Sequence, residues 1–400
     1  MQHAARAVPF YRDRFDEALA LPLRRFTIET IRQLPVLHRG EVQAAGDRIS
    51  TGYVPEGHGR VQHVATSGST GQPLRIRTTD LSSWFFMAQG LRYHQWHRRD
   101  FRRTSMTITS LKPEITVQKT KGWVSGFPTG AGYRVNFSLP APKIFEALLE
   151  ANPHYLQVHP STLAELLRLS RREGRKPGNL VEVRSVSEAL SPALRQTLMD
   201  TWGVPATDNY SAQELNILAL QCPQNPEHLH VQSESALLEV LDRDGNPCRP
   251  GQTGRCVVTQ LVNFATPLVR YEYGDYAEVG EPCACGRGLP TLKSVLGRER
   301  NLLVLENGDR LSPRLALEDI VTELPVIQYQ LVQKTHRDIE IRLATQSPLT
   351  ELQEQSVIGK CRDDIGQPLD YRIVYVDEIP KLASGKFEAF RCEVDTSEVG

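Results

Sequence analysis

Between residues 60 and 220, stretches with apolar residues at helical spacing alternate with stretches that read as strands, and this constrains the fold more than any other feature. "IFEALLE" (144–150) and "STLAELLRLSRREG" (161–174) return apolar residues every three or four positions. The second closes on Gly174, as helices commonly do. "LVEVRSV" (180–186) alternates like a strand. Interleaving of this kind predicts an α/β architecture. The texture then changes. "SALLEVLDRDGNPCRPGQTGRCVVTQLV" (235–262) is two strand-like runs around an Asp244-Gly245 turn, which predicts a β-rich portion. From about residue 300, "NLLVLENGDRLSP", "YQLVQKTHRDIEIRLAT" and "YRIVYVDEIPKL" supply short strands around helical stretches, enough for a small α+β domain. The expected organisation is a large N-terminal α/β domain of several subdomains over 1–297, a hinge at 298–301 in "GRERN", and a small mobile C-terminal domain over 302–400.

The chain has 400 residues with 40% hydrophobic content, enough for buried cores and unlike a disordered polypeptide. Its 47 Lys plus Arg balance 47 Asp plus Glu, so no bulk field favours nucleic acid or an anionic membrane, although a small anionic ligand stays open. The start, "MQHAARAVPFYRDRF", lacks a leader's apolar core, and no window reaches the length a membrane helix needs. A cytoplasmic location is the expectation. Seven cysteines, an odd number in a long chain, argue against a disulfide framework.

"VATSGSTGQPLRIRTT" (64–79) holds six Ser, Thr or Gly residues in succession: Thr66, Ser67, Gly68, Ser69, Thr70 and Gly71. Glycines free to take positive φ let consecutive amides curve into an anion-binding nest, and the hydroxyls add donors suited to a polyphosphate. No lysine follows where a P-loop requires one. A solvated linker has the same composition.

The loop resembles the phosphate-binding signature of the adenylate-forming enzymes, acyl-CoA ligases and relatives. Four further segments follow in that superfamily's order. "DNYSAQE" (208–214) is similar to its YGxxE segment and "TPLVRYEYGD" (266–275) to RYxTGD; "GRERNLLVLENGDRLSP" (297–313) is similar to the hinge region and "PKLASGK" (380–386) to the terminal PKTxSGK. "VPFYRDRF", "VHPSTLAELL", "SVSEALSP" and the CxCGRxLP cluster resemble the phenylacetate-CoA ligase branch in particular.

The resemblance implies an ATP-dependent acid ligase. A carboxylate attacks the α-phosphorus of ATP, pyrophosphate leaves, and a thiol or amine takes the acyl group from the adenylate. Lys386 then corresponds to the lysine bridging α-phosphate and substrate carboxylate, where charge develops. Glu214 corresponds to the carboxylate that helps hold Mg²⁺. Asp275 resembles the acid accepting the ribose hydroxyls, and Arg298 the arginine beside it. Tyr210 and Asn209, with Ser211 next to them and the backbone of Ser187, Glu188 and Ala189, are expected around the adenine, although Tyr210 also reads as a core tyrosine. This chain departs from the pattern with Val186-Ser187 for a Gly-Gly, Ser211 for a Gly, Gln213 for Ser or Thr, Tyr273 for Thr, and Arg300 at the hinge position that is usually Asp.

Cys283 and Cys285 in "CACG" with Cys222 and a histidine of "CPQNPEHLH" form a Cys3His set of the kind structural zinc prefers, unless they are free thiols. The resemblance implies His230 as the fourth ligand, with His228 as the alternate. Trp123, Phe127 and Tyr133, with Tyr210, are expected to line a flat apolar pocket for an aromatic acid, or else to be ordinary core aromatics. CoA is the acceptor the resemblance implies first. A carrier protein acting in trans, or an amine, would use the same first half-reaction, and a homodimer is expected only by likeness to the family. A non-catalytic ligand-binding descendant of the fold is the alternative from another class.

Overall fold

The structure is a computed structural model that describes residues 1–15, 27–65, 74–311, 313, 324–380, 382 and 387–394. It divides into two units, Met1–Arg99 with Asn209–Val295, and Asp100–Asp208 with Leu296–Gly400.

The first unit is built on an eight-stranded sheet. Its order is Asn209–Ala212, Asn216–Gln221, Leu229–Val231, Thr291–Arg298, Tyr271–Val279, Thr253–Gln260 and Ala236–Leu241, with Leu37–His38 parallel to the start of Tyr271–Val279. Ala236–Leu241 and Thr253–Gln260 pair antiparallel, and Gly245 at φ 82° makes the turn that Asp244-Gly245 predicts. Cys256, Val257 and Val258 are consecutive and all buried, so this strand is covered on both faces. Tyr11 is fully buried in the same core and donates its hydroxyl to the Pro267 carbonyl at 2.8 Å. The helix Asp80–Trp96 starts at Thr79, whose side chain accepts Ser82 N–H. It is fastened to the sheet region by Asn216 Nδ2 to Ser82 Oγ (2.9 Å) and Gln89 Nε2 to Ser235 Oγ (2.6 Å).

The second unit contains the α/β layer. Six strands run in the order Val117–Thr120, Gly132–Asn136, Ser105–Thr109, Tyr155–Val158, Glu182–Ser185 and Ala206–Thr207, parallel except for the antiparallel edge strand Val117–Thr120. Helices Ala141–Ala151, Pro160–Glu173 and Pro192–Trp202 connect them. The second of these ends at Gly174 with φ 64°, the left-handed cap its sequence predicts. The third begins at Ser191, whose side chain accepts Leu194 N–H, with Pro192 in the first turn where its missing N–H costs nothing. "LVEVRSV" forms Glu182–Ser185, but all four residues are buried. It is an interior parallel strand, so its polar positions also face protein: Glu182 accepts Thr207 Oγ1 at 2.5 Å, and Arg184 reaches Ser105 Oγ at 3.4 Å.

In the same unit, a hairpin of Leu303–Val304 and Arg310–Leu311 leads to a four-stranded sheet ordered Asp370–Tyr375, Asp338–Thr345, Val326–Gln333, Phe390–Cys392, with the helix Glu351–Ile365. These elements realise the α+β pattern read from residue 300 onward. Among the described residues no helix is long and apolar enough to cross a membrane.

Candidate functional site

Open parallel sheets offer ligand sites at the carboxyl ends of their strands. Glu182–Ser185 delivers Val186, Ser187, Glu188 and Ala189 at such an end, and Tyr155–Val158 beside it delivers the start of the helix Pro160–Glu173. Ser187 takes φ 70°, a left-handed conformation that costs a non-glycine residue about 1–2 kcal/mol. This explains why glycine suits the position and why serine there is a departure. Ser187 and Ala189 are exposed, available to frame a ligand with their backbone. Glu188 uses its side chain as well: its carboxylate accepts Ser161 N–H at 2.9 Å, Ser161 Oγ at 3.1 Å and Phe387 N–H at 3.1 Å.

In the first unit, Asn209, Tyr210 and Ser211 lie on an edge strand with a bulge between Tyr210 and Ser211, a device that re-aims side chains. Tyr210 is 6% exposed and belongs to the hydrophobic core. Its phenol contacts the Tyr273 phenol and donates to Asp275 Oδ2 at 3.1 Å, while Tyr273 stacks on Tyr271 with centroids 6.1 Å apart. The Thr-to-Tyr departure at 273 thus builds a phenol pair beside the acid expected to meet ribose. Glu214 is buried; its Oε1 has no hydrogen bond and faces Arg39 Nη1 at 3.6 Å. A buried carboxylate oxygen that faces a guanidinium at ion-pair distance but makes no hydrogen bond keeps lone pairs for a hard cation, which prefers oxygen ligands. Arg298, in the second unit, ends the strand Thr291–Arg298 and precedes the turn Glu299–Asn301.

Cys222, His230, Cys283 and Cys285 converge in the first unit, with their ligand atoms all within 4.8 Å of one another. Cys222 Sγ lies 3.9 Å from Cys283 Sγ, and Cys285 Sγ 3.2 Å from His230 Nε2. A tetrahedral zinc with ordinary bond lengths separates its sulfurs by about 3.8 Å and sulfur from nitrogen by about 3.6 Å. The four side chains fit that set. His230 supplies the nitrogen, whereas His228 Nδ1 meets Asn225 Nδ2 at 3.4 Å. Burial raises the Cys285 thiol, but the Arg287 backbone N–H and side chain, with the neighbouring thiols, outweigh it and bring it to about 7. Asn225 N–H donates to Cys222 Sγ at 3.4 Å, and the Arg287 guanidinium stands 3.8 Å from that sulfur and 4.5 Å from the Trp96 ring. Donors aimed at sulfur favour the thiolate form that binds metal. Arg287 was legible beside the CxC; Trp96 carries no local signal.

Thr66, Ser67, Gly68, Ser69, Thr70 and Gly71 lie outside the described residues, as does Lys386. The strands flanking the first segment, Val61–Ala65 and Arg75–Thr79, pair antiparallel with Ala65 opposite Arg75.

Of the aromatic residues expected around the acyl group or else in the core, three lie in the second unit. Trp123 stacks on Phe101 (5.5 Å), approaches Tyr155 (5.7 Å) and donates Nε1–H to the Arg103 carbonyl at 2.7 Å; Phe127 also packs on Phe101 (5.0 Å). Residues 121–131 return from the antiparallel edge strand, so they meet the amino ends of Ser105–Thr109 and Tyr155–Val158. Ser187–Ala189 leave the opposite ends, about 10 Å away along strands of this length. Gly130 allows this packing, because a Cβ there would meet the Arg102 and Arg103 carbonyl oxygens at 2.4 and 2.5 Å. Tyr133, within its strand, packs on the core of the layer and carries Lys119 over its ring at 5.7 Å. Trp123 and Phe127 are therefore separated from the Ser187–Ala189 loop within this unit.

Residues 305–391 match the family described as the CapK C-terminal domain. Across 95% of its length the chain is 23% identical to the phenylacetate-coenzyme A ligase of Thermus thermophilus, of which the match covers 91%. It is 24% identical to the enzyme of that name from Escherichia coli, over 95% of this chain and 90% of that one. Among solved structures it superposes with a TM-score of 0.74 on 2-hydroxyisobutyryl-CoA ligase in complex with R3-HIB-AMP, at 17% identity, covering 99% of this chain and 87% of that one. The chain has the fold of the adenylate-forming enzymes, and its likeness to acyl-CoA ligases of that superfamily runs along nearly its whole length.

Proposed function

We propose that the protein activates a carboxylic acid with ATP and transfers the acyl group to CoA, with an aromatic acid as substrate. In the first step a substrate carboxylate oxygen bonds to the α-phosphorus of ATP and pyrophosphate departs. In the second the CoA sulfur bonds to the acyl carbon, AMP departs and the thiol proton is released. The observation carrying this reading is that the likeness to phenylacetate-coenzyme A ligases runs over 95% of the chain and 91% of the relative. The aromatic substrate rests on the names of those relatives, because Trp123 and Phe127 pack at the amino ends of the strands of their sheet.

In this reading Thr66–Gly71 bind the phosphates and Asp275 the ribose, and the Tyr210 phenol, now on Asp275, exchanges its hydrogen bond as nucleotide enters. Glu214 would hold Mg²⁺, which neutralises phosphate charge when bound. Cys222, His230, Cys283 and Cys285 would hold zinc structurally, since four protein ligands leave no position for substrate. The hinge falls at 298–301, where the strand Thr291–Arg298 gives way to a short turn.

The test is carboxylate-dependent ATP–pyrophosphate exchange over a panel of aryl and alkyl acids, followed by CoA, carrier-protein and amine acceptors. Exchange with aryl acids and thioester formation with CoA are expected. No exchange with any acid would favour a ligand-binding descendant instead. Lys386→Ala should slow exchange by about 10²-fold, the usual cost of losing one charge-stabilising group, while sparing thioester formation from a supplied acyl adenylate. Equal loss in both half-reactions would contradict its role.

A further inference from the structure

Within the second unit, two side chains of the 100–208 stretch hold main-chain atoms of the 296–400 stretch. Glu188 Oε1 accepts Phe387 N–H at 3.1 Å, while the same carboxylate accepts Ser161 N–H and Ser161 Oγ at 2.9 and 3.1 Å. Arg168, on the helix that Ser161 helps to open, donates Nη1–H to the carbonyls of Val326 and Ile327 at 3.2 and 2.7 Å. Further contacts hold the next residue, Glu388. Arg300 pairs with Glu388 at 2.6 Å, and Gln330 Nε2 donates to the Glu388 carbonyl at 2.8 Å. The Glu388 side chain is only 11% exposed, so this pair is little screened by water.

Phe387 is the residue after Lys386 in the chain. A carboxylate accepting a backbone N–H makes a charge-assisted bond, stronger and more directional than a neutral one. Because Glu188 and Arg168 grip backbone atoms, they recognise where the C-terminal strands lie and not which side chains they carry. The contact therefore records one placement of Phe387 and of Val326–Ile327, and any swing of the C-terminal strands for the second half-reaction has to break it.

We infer that Glu188 is a positioning residue for the first half-reaction, docking the main chain that follows Lys386, with Arg168 as a second fastener on the same helix. The inference rests on the ligase reading above, and a structural alternative exists: Glu188 could serve only to cap the helix Pro160–Glu173 through Ser161.

The test compares Glu188→Ala, Glu188→Gln and Arg168→Ala with the parent chain. Glu188→Ala is expected to slow pyrophosphate exchange by about 10- to 100-fold, the worth of one charge-assisted hydrogen bond, and to leave thioester formation from supplied acyl adenylate equal or faster. Glu188→Gln, which keeps an acceptor oxygen, is expected to recover most of the loss, and Arg168→Ala to reproduce the same split more weakly. Parallel loss of both half-reactions with a lowered thermal midpoint would mean helix capping alone and would overturn the assignment. Hydrogen exchange supplies a readout independent of activity: the Phe387 amide should be protected in the parent and exchange at least tenfold faster in Glu188→Ala. An unchanged Phe387 amide sinks the inference even if the protein is a ligase, whereas a faster one supports the docking contact even if no acid gives exchange.

Discussion

Cys222→Ser is expected to abolish zinc binding by the proposed set of Cys222, His230, Cys283 and Cys285 and to cost the first unit several kcal/mol of stability. Cys222 follows the strand Asn216–Gln221, His230 lies on Leu229–Val231, and Cys283 and Cys285 lie between Tyr271–Val279 and Thr291–Arg298. His230 is paired directly opposite Thr291, so an ion at the four ligand atoms would tie two loops across neighbouring strands. Structural zinc sites carry apparent binding energies of about 10–16 kcal/mol, and a site reduced to three ligands loses much of that. Metal analysis of purified protein should give about one zinc per chain in the parent and near none in Cys222→Ser, with a midpoint lower by about 10 °C. A parent free of zinc after purification without chelator, or a variant that keeps the ion, would refute the assignment.

Arg270→Met should destabilise the same unit by about 3 kcal/mol, because it removes the nearer partner of the buried Glu239 carboxylate and leaves it only the half-exposed Arg32 at 3.8 Å. The Arg270 and Glu239 side chains are 7% and 2% exposed and pair at 3.2 Å. The guanidinium also donates to the carbonyls of Arg32 and Leu34 at 2.6 and 2.5 Å, and the Arg270 carbonyl accepts Leu37 N–H at 2.8 Å. Arg270 takes φ 47°, a strained backbone tolerated because these contacts fix it. The double variant Arg270→Met/Glu239→Leu should recover part of the loss by removing the under-compensated charge, but not the part owed to the two carbonyls. A midpoint for Arg270→Met within 2 °C of the parent would contradict this, since each kcal/mol shifts a unit of this size by about 2–4 °C.

The placement of Arg270 shows where sequence reading stops. It sits in "TPLVRYEYGD", which resembles a nucleotide-binding segment, yet its side chain works on carbonyls 238 and 236 positions away along the chain. Asp275, five residues later, was read as a site acid, but the phenol that meets it comes from Tyr210, which also touches the Tyr273 phenol; the segment pattern marked these as a ring for adenine and a departure. Glu188 was read for its backbone, and its carboxylate proved to hold Phe387, 199 positions on. Trp123 and Phe127 read equally as pocket or core aromatics, and only the antiparallel edge strand set which end of the sheet they reach.

What the sequence determined by itself was local: the helix closing on Gly174, the turn at Asp244-Gly245, the interleaved α/β layer and the ligand types of the Cys3His set. These follow from side-chain period, capping and turn chemistry, which act over a few residues and are written in adjacent letters. The choice of His230 over His228, the phenol pair on Asp275, the burial of Arg270 and the grip of Glu188 on a main-chain N–H were decided by strand order and register. Those bring together residues from distant parts of the chain, and a backbone N–H or carbonyl, identical at almost every position, leaves no mark in the sequence to show which one will be taken.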